Sequence, residues 1–374
     1  MAPTNSHAHF TGCRAGGYGP IPALLLKLAG ALVAVLVLSQ TLPLSRPAFA
    51  QSGSSKYALI SLIENVQEAT ARQYGLRDSA GQTMDTLKVI QSPAAGYLGV
   101  YHYLSSDGSF HVRVATSRDL VGSSRDNWLV QADFGPHESQ PTIAYLADGS
   151  FLVVVEADTN GSPTPKIWLR FKHFLNLMDL LSGRINRVFD APHTLVPENS
   201  GAEGTPNVYS ASLSPDFTHS TIDVGFHYYM NFHVDRQARG TLTTSGSSSW
   251  WATRVETKLN NALLATGDVK GNIGDRDNML WGGRSYNLHE VQLAKRDFGT
   301  WRVDLYDWST NVATRLAIKT DRRSTAFSNP TFTNVRSPRS NRQAVVVTLF
   351  VPSEGAASGE GGELIYYKEY GEPT

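Results

Sequence analysis

The stretch Ser139-Gln140-Pro141-Thr142-Ile143-Ala144-Tyr145-Leu146-Ala147-Asp148-Gly149-Ser150-Phe151-Leu152-Val153-Val154-Val155 decides the fold. It spells a strand, a turn and a second strand, and Asp148-Gly149 supplies the turn chemistry that joins antiparallel neighbours. Openings of the same kind recur at Met84-Asp85-Thr86, Gly204-Thr205-Pro206-Asn207, Gly274-Asp275-Arg276-Asp277 and Ser328-Asn329-Pro330-Thr331. Each leads into a strand, a turn and a second strand, and the spacing is about 53 to 71 residues. Four short strands with their connections occupy roughly that length, so five units fill the chain beyond residue 50 as blades of a radial fold. The expectation is an all-β, five-bladed β-propeller forming one domain over 51–374.

The surrounding sequence agrees with that class. Ile222, Val224, Phe226 and Tyr228 alternate with Asp223, Gly225 and His227, the period of a half-buried strand. Short strands also read at 97–103, 110–115, 151–157, 167–171, 302–306, 344–351 and 364–367. Asp119-Leu120 and Asp179-Leu180 place the same pair just after an outer strand in the first two units. One segment breaks the pattern. Val255, Leu259, Ala262 and Leu263 stand at helical spacing with Lys258 and Asn260 opposite, which predicts a short helical insertion between blades 3 and 4.

Residues 1–50 contain no Asp or Glu, and the apolar run 28–38 follows Lys27 and leads to Ala48-Phe49-Ala50. An eleven-residue apolar core and a small-x-small cleavage pattern predict a signal peptide, because a membrane span needs roughly 20 apolar residues. An uncleaved anchor is the alternative. Cleavage leaves 30 Lys plus Arg against 33 Asp plus Glu, a balance that gives no electrostatic reason to expect nucleic acid or anionic lipid. The expected product is secreted, monomeric and free of the membrane. The single cysteine, Cys13, lies in the leader, so packing rather than a disulfide must stabilise the domain.

The order of Gln140-Pro141-Thr142, strand, Asp148-Gly149, strand and a later Asp-Leu resembles the propellers of sialidase-like and arabinanase-like glycoside hydrolases. The count of five favours the arabinanase and xylosidase side, family-43-type glycosidases. The resemblance implies an axial pocket ringed by the starts of the innermost strands, with a carbohydrate substrate. It also implies a general base at the opening of the first blade, Asp85, and a general acid at the opening of the third, Glu203, within Glu203-Gly204-Thr205-Pro206. Where the family places an Asp that raises the acid's pKa, this chain has His137-Glu138-Ser139-Gln140, so Glu138 takes that role, and Asp85-Thr86 lacks the family's Asp-Pro. Paired carboxylates are what glycoside hydrolysis requires.

The densest polar run is Gly271-Asn272-Ile273-Gly274-Asp275-Arg276-Asp277-Asn278. Asp275 and Asp277 could be catalytic, could hold a structural calcium ion, could clamp Arg276 for sugar hydroxyls or a uronate, or could tie neighbouring blades together. Glu290, on the following strand, His137 and the exposed Trp250 are further candidates for sugar contact. The alternatives to a hydrolase are a polysaccharide lyase, with Arg276 neutralising a uronate, and a noncatalytic carbohydrate-binding propeller. No zinc signature, phosphate-cradling loop, nucleotide fingerprint or Gly-x-Ser-x-Gly elbow occurs, so no cofactor is required.

Overall fold

The structure, a computed structural model, describes residues 55–122, 127–159, 166–198, 201–230 and 234–371, so the leader read at 1–50 lies outside the described residues. After helix α1 (Lys56–Glu64) and strand β1 (Ala71–Gln73), the five predicted units follow in order. Blade 1 comprises β2 (Asp85–Ser92), β3 (Gly96–Leu104), β4 (Phe110–Ser117) and β5 (Leu129–Pro136), and blade 2 comprises β6 (Glu138–Tyr145), β7 (Phe151–Asp158), β8 (Ile167–Phe174) and β9 (Arg187–Asp190). A one-turn helix, α2 (Leu177–Leu181), sits between β8 and β9. Blade 3 comprises β10 (Gly201–Ser212), β11 (Thr221–Met230), β12 (Val234–Ser245) and β13 (Ser248–Val255), followed by helix α3 (Thr257–Leu264). Blade 4 comprises β14 (Ile273–Trp281), β15 (Arg284–Gln292), β16 (Trp301–Asp307) and β17 (Val312–Arg315), and blade 5 begins with β18 (Ser328–Arg336), β19 (Gln343–Val351) and β20 (Gly362–Glu369).

Strands within each blade pair antiparallel, and β1 returns from the start of the domain to pair with β20 as the fourth strand of blade 5. The first strands of the blades pack side by side, β2 on β6, β6 on β10, β10 on β14, β14 on β18 and β18 on β2, so the ring closes around an axis. The chain is a five-bladed propeller. One parallel bridge, Ala202 to Ile167, links blades 2 and 3.

The core lies between blades, which explains why the inner strands read as apolar runs. Phe151 to Val155 on β7 are all buried because both faces of the strand meet a neighbouring blade. Tyr286 and Leu288 of blade 4 pack with Phe332 and Val345 of blade 5, and Leu87 and Val89 of blade 1 pack with Val346 and Ile365 of blade 5. The seam at blade 4 facing α3 is filled by the helix, whose Leu259 and Leu263 join Ile273, Val291 and Tyr306. Burying each leucine is worth roughly 1.5–3 kcal/mol. The helix departs from the predicted face in two respects. Asn260 is buried, since its side chain accepts from the Gln237 N–H at 2.8 Å and donates to the Gln237 carbonyl at 3.0 Å, continuing the ladder of β12. Val255 ends β13 and is exposed.

All five first strands carry a register shift at the same place near the axial mouth. It lies between Asp85 and Lys88, Ser139 and Thr142, Gly204 and Asn207, Asp275 and Asp277, and Ser328 and Thr331. In four of them the irregularity contains a left-handed residue: Thr86 (φ 56°), Gln140 (φ 51°), Thr205 (φ 52°) and Asn329 (φ 49°). Left-handed backbone costs a non-glycine residue about 1–2 kcal/mol, and a bulge re-aims the side chains around it. Five repetitions of the same distortion turn five sets of side chains toward one axis.

Candidate active site

Because strands alternate in direction, the end of each second strand lies level with the start of the first. The pairs just ahead of the bulges in blades 1, 2, 3 and 5 are Asp85 with His102, Ser139 with Glu156, Gly204 with His227 and Ser328 with Phe350, and in blade 4 Gly274 with Glu290 lies one pair before the Asp275–His289 pair that precedes the bulge. The second-strand members, His102, Glu156, His227, Glu290 and Phe350, all line one pocket of about 330 Å³ at the axial mouth. From the first strands come Asp85, Gln140, Thr205, Arg276 and Asn329.

A circuit of hydrogen bonds forms the floor. The Thr86 hydroxyl donates to Gln140 Oε1 at 2.9 Å, and Arg276 donates to the same oxygen and, through its other terminal nitrogen, to Glu290 Oε1. Glu290 Oε2 accepts from the Asn329 N–H at 2.6 Å, and Asn329 Nδ2 donates to Asp85 Oδ1 at 2.6 Å. Blades 2 and 4 are not neighbours in the ring, so Arg276 crosses the axis. One step further along the strands, Lys88 of blade 1 reaches Asp277 of blade 4 at 2.5 Å and Thr333 of blade 5 at 2.8 Å. These two crossings close the space below the mouth, making it a pocket.

Asp85 reaches solvent, with its side chain 22% exposed. Burial pushes its pKa up, but the nearby His102 and the Asn329 amide, with Arg276 further off, outweigh burial and hold the carboxyl below the ordinary aspartate range. The tautomer of His102 follows from its neighbours. The Gln140 N–H donates to Nδ1 at 3.2 Å, so Nδ1 carries the lone pair and Nε2 carries the proton, facing Asp85 Oδ2 at 3.5 Å.

Glu156 is the second carboxylate that reaches solvent, with its side chain 18% exposed. Its Oε2 accepts from the Thr205 N–H at 3.0 Å and lies 3.9 Å from His227 Nε2. The other ring nitrogen of His227 is 3.0 Å from Asp235 Oδ1, and Asp235 also accepts from the Ile273 N–H at 3.0 Å. Burial disfavours the charged imidazole, but Asp235 and Glu156 together push His227 up to about 9. Gly204 permits the arrangement, since a Cβ there would stand 2.0 Å from Glu156 Oε2.

The sequence-predicted residues divide sharply. Asp85, Arg276 and Glu290 meet in the pocket. Glu203 does not line it. Its Oε1 accepts from the N–H groups of Thr194, Leu195 and Val196 at 2.8, 2.7 and 3.3 Å, so this buried carboxylate caps the loop ahead of β10. Glu138 is also buried outside the lining, ion-paired with Lys172 and with Arg170 at 3.3 Å. His137 faces Asp158 at 3.4 Å, and Trp250, 55% exposed, sits on β13 at the outer edge of blade 3. Its neighbour Trp251 packs against Phe171 and Phe226.

Asp275 and Asp277 do not clamp Arg276. Asp275 accepts from Asn207 at 3.1 Å, Asn287 at 3.3 Å and Tyr209 at 3.4 Å, and burial raises it to about 7 against those donors. Asp277 takes Lys88 and the Phe332 N–H. Their oxygens tie blades together, and among the described residues no group of three or more His, Cys, Asp or Glu is arranged to hold a metal ion. Sequence reasoning missed Glu156, His227, Asp235, His102 and Asn329. A signal was present at Glu156, a carboxylate that follows directly on the apolar run Phe151-Leu152-Val153-Val154-Val155.

No protein-family model matches the chain, and no curated protein matches it. Solved structures similar to it include an α-L-arabinofuranosidase from Lactobacillus brevis, 8% identical, covering 78% of this chain and 94% of that one with a TM-score of 0.47. Others are a GH43 endo-arabinanase from Bacillus licheniformis (10% identical, 79% and 96% covered, TM-score 0.46) and a glycoside hydrolase (9% identical, 82% and 94% covered, TM-score 0.49). By its own strand order this chain is a five-bladed β-propeller, and its chemistry is that of its own axial pocket.

Proposed function

We propose that the protein is a secreted glycosidase that takes a sugar residue in the axial pocket and cleaves its glycosidic bond with Asp85 and Glu156. The observation that carries this reading is the contrast among the pocket carboxylates. Asp235 and Glu290 are buried and engaged by cations and backbone N–H groups, whereas Asp85 and Glu156 reach solvent from adjacent blades. Asp85, held ionised, accepts a proton from water as the water oxygen bonds to the anomeric carbon. Glu156 passes the proton held by the neighbouring His227 imidazolium, 3.9 Å from its Oε2, to the departing glycosidic oxygen as the old C–O bond breaks. The products are a reducing sugar and an alcohol, and Asp85 and the His227–Glu156 pair recover their starting states by proton exchange with solvent.

His102, with its proton on Nε2, orients Asp85, and His227, pinned by Asp235, positions Glu156. Phe110 and Phe350 offer apolar surface to the C–H face of a sugar while the carboxylates meet its hydroxyls. Hydrolysis is better supported than uronate lysis because the terminal nitrogens of Arg276 are taken by Gln140 and Glu290. The test is release of reducing sugar from a panel of 4-nitrophenyl glycosides and plant or microbial polysaccharides. Turnover by the wild type and its loss in Asp85→Asn are expected; binding without turnover across the panel would instead favour a carbohydrate-binding propeller.

A further inference from the structure

The axial pocket does not end at Phe350. A second depression of about 360 Å³ lies against it, and the two share Phe298, Phe350 and Pro352. Glu354 and Gly361, from the connection between β19 and β20, form its far side. The glycosidase reading leaves this space without a role.

Phe298 is the distinctive residue. Its side chain belongs to the β15–β16 connection, and the residue is 53% exposed although it stands beside the pocket. The turn beneath it is fixed. Asp297 Oδ1 accepts from the Gly299 N–H at 3.0 Å, Gln292 Nε2 donates to the Asp297 carbonyl at 3.2 Å, and a Cβ on Gly299 would lie 3.3 Å from the Glu354 carbonyl. The turn of blade 4 therefore lies close to the loop of blade 5. An aromatic ring held open to solvent on a fixed turn presents a flat apolar face at little entropic cost on binding. The wall formed with Phe350 and Pro352 is apolar, and Glu354 is the ionisable residue along it.

We infer that this depression is a second sugar subsite, in which the residue adjoining the one in the axial pocket lays its C–H face on Phe298. The occupant is the neighbouring unit of the same oligosaccharide, because the two depressions are continuous and share three residues. The proposal rests on the glycosidase reading. It makes the substrate an oligosaccharide or polysaccharide of at least two units, with the chain running from the axis out between blades 4 and 5.

The test compares two substrates of the sugar found active in the aryl glycoside panel, its glycosyl fluoride and its trisaccharide. The fluoride fills the axial pocket and leaves the second depression empty. Phe298→Ala should raise KM for the trisaccharide about tenfold or more, a loss several-fold larger than its effect on kcat/KM for the fluoride, and should be rescued by Phe298→Trp. An unchanged trisaccharide KM, or an equal loss on both substrates, would overturn the subsite while leaving the glycosidase reading intact. If the wild type cleaves no member of the panel, the glycosidase reading fails. Calorimetric titration of xylotriose, arabinotriose and cellotriose into wild type and Phe298→Ala then decides the subsite, with Phe298-dependent binding supporting it and its absence overturning it.

Discussion

Asn329 Nδ2 donates to Asp85 Oδ1 at 2.6 Å, so the opening of the last blade holds the carboxylate that opens the first. The same Asn329 gives its backbone N–H to Glu290, which grips Arg276, and through these links the ring closure and the pocket floor are one structure. Replacing the amide by a carboxyl, Asn329→Asp, removes the donor and sets a like charge beside Asp85 while keeping a residue that tolerates the left-handed backbone. The acidic limb of kcat/KM against pH, set in the wild type by an Asp85 held below its ordinary range, should move up by about one pH unit or more. An unmoved limb would remove Asp85 from the role of base.

Glu203 offers a contrast. Three backbone N–H groups lose their acceptor in Glu203→Ala, and the expected cost is on the order of 2–4 kcal/mol of stability. Urea denaturation should show that loss, while kcat/KM below the unfolding transition stays within about threefold of wild type. A folded, stable and inactive Glu203 variant would restore it as a catalytic candidate.

The raised pKa of His227 makes a prediction about stability. Its charged form is favoured by Asp235 and Glu156 against burial, so the folded protein holds a proton up to about pH 9, whereas the unfolded chain releases it near about 6.5. The stabilisation is therefore complete below about pH 6.5 and is lost as pH rises through about 9. The difference in unfolding free energy between wild type and His227→Gln should shrink across that window; a constant difference would show that the imidazole is neutral in the fold.

Glu363 on β20 predicts the opposite kind of experiment. It is fully buried, and burial first, then the charge of Asp85, push its carboxyl well above the ordinary glutamate range. The folded state keeps a proton that the unfolded state gives up above about pH 4.3, so this residue costs stability increasingly as pH rises. Glu363→Gln should match the wild type at pH 4 and exceed it at pH 8 by thermal or urea denaturation. Equal stability at both values would contradict a neutral Glu363.

Much of this was legible in the sequence, and the rest was hidden for identifiable reasons. Five strand openings were visible because Pro141, Pro206 and Pro330 and the turns after them punctuate the chain. The closing strand β1 was not, since Ala71-Arg72-Gln73 carries no strand signal and is ordered by pairing with β20. Glu203 misled because a bulge separates residues that are adjacent in sequence. Glu203 stands before it and turns to the 194–196 loop, while Thr205 lies within it and lines the pocket. Asp275 and Asp277 flank Arg276, yet strand alternation sends their side chains to different partners from its own. Glu156 and His227 come into place through cross-strand register with Ser139 and Gly204, a relationship that no local spacing displays.

We propose that Asp85 and Glu156, and not Glu203, work on the substrate. The most direct test is kcat/KM for Glu156→Gln and Glu203→Gln on a disaccharide and on the 2,4-dinitrophenyl glycoside of the same sugar. Glu156→Gln should lose about 10²- to 10⁴-fold on the disaccharide, and far less on the dinitrophenyl glycoside, whose leaving group departs without a proton. Glu203→Gln should stay near wild type on both. A Glu156→Gln enzyme that cleaves the disaccharide at the wild-type rate, beside a folded Glu203→Gln enzyme that does not, would contradict the account.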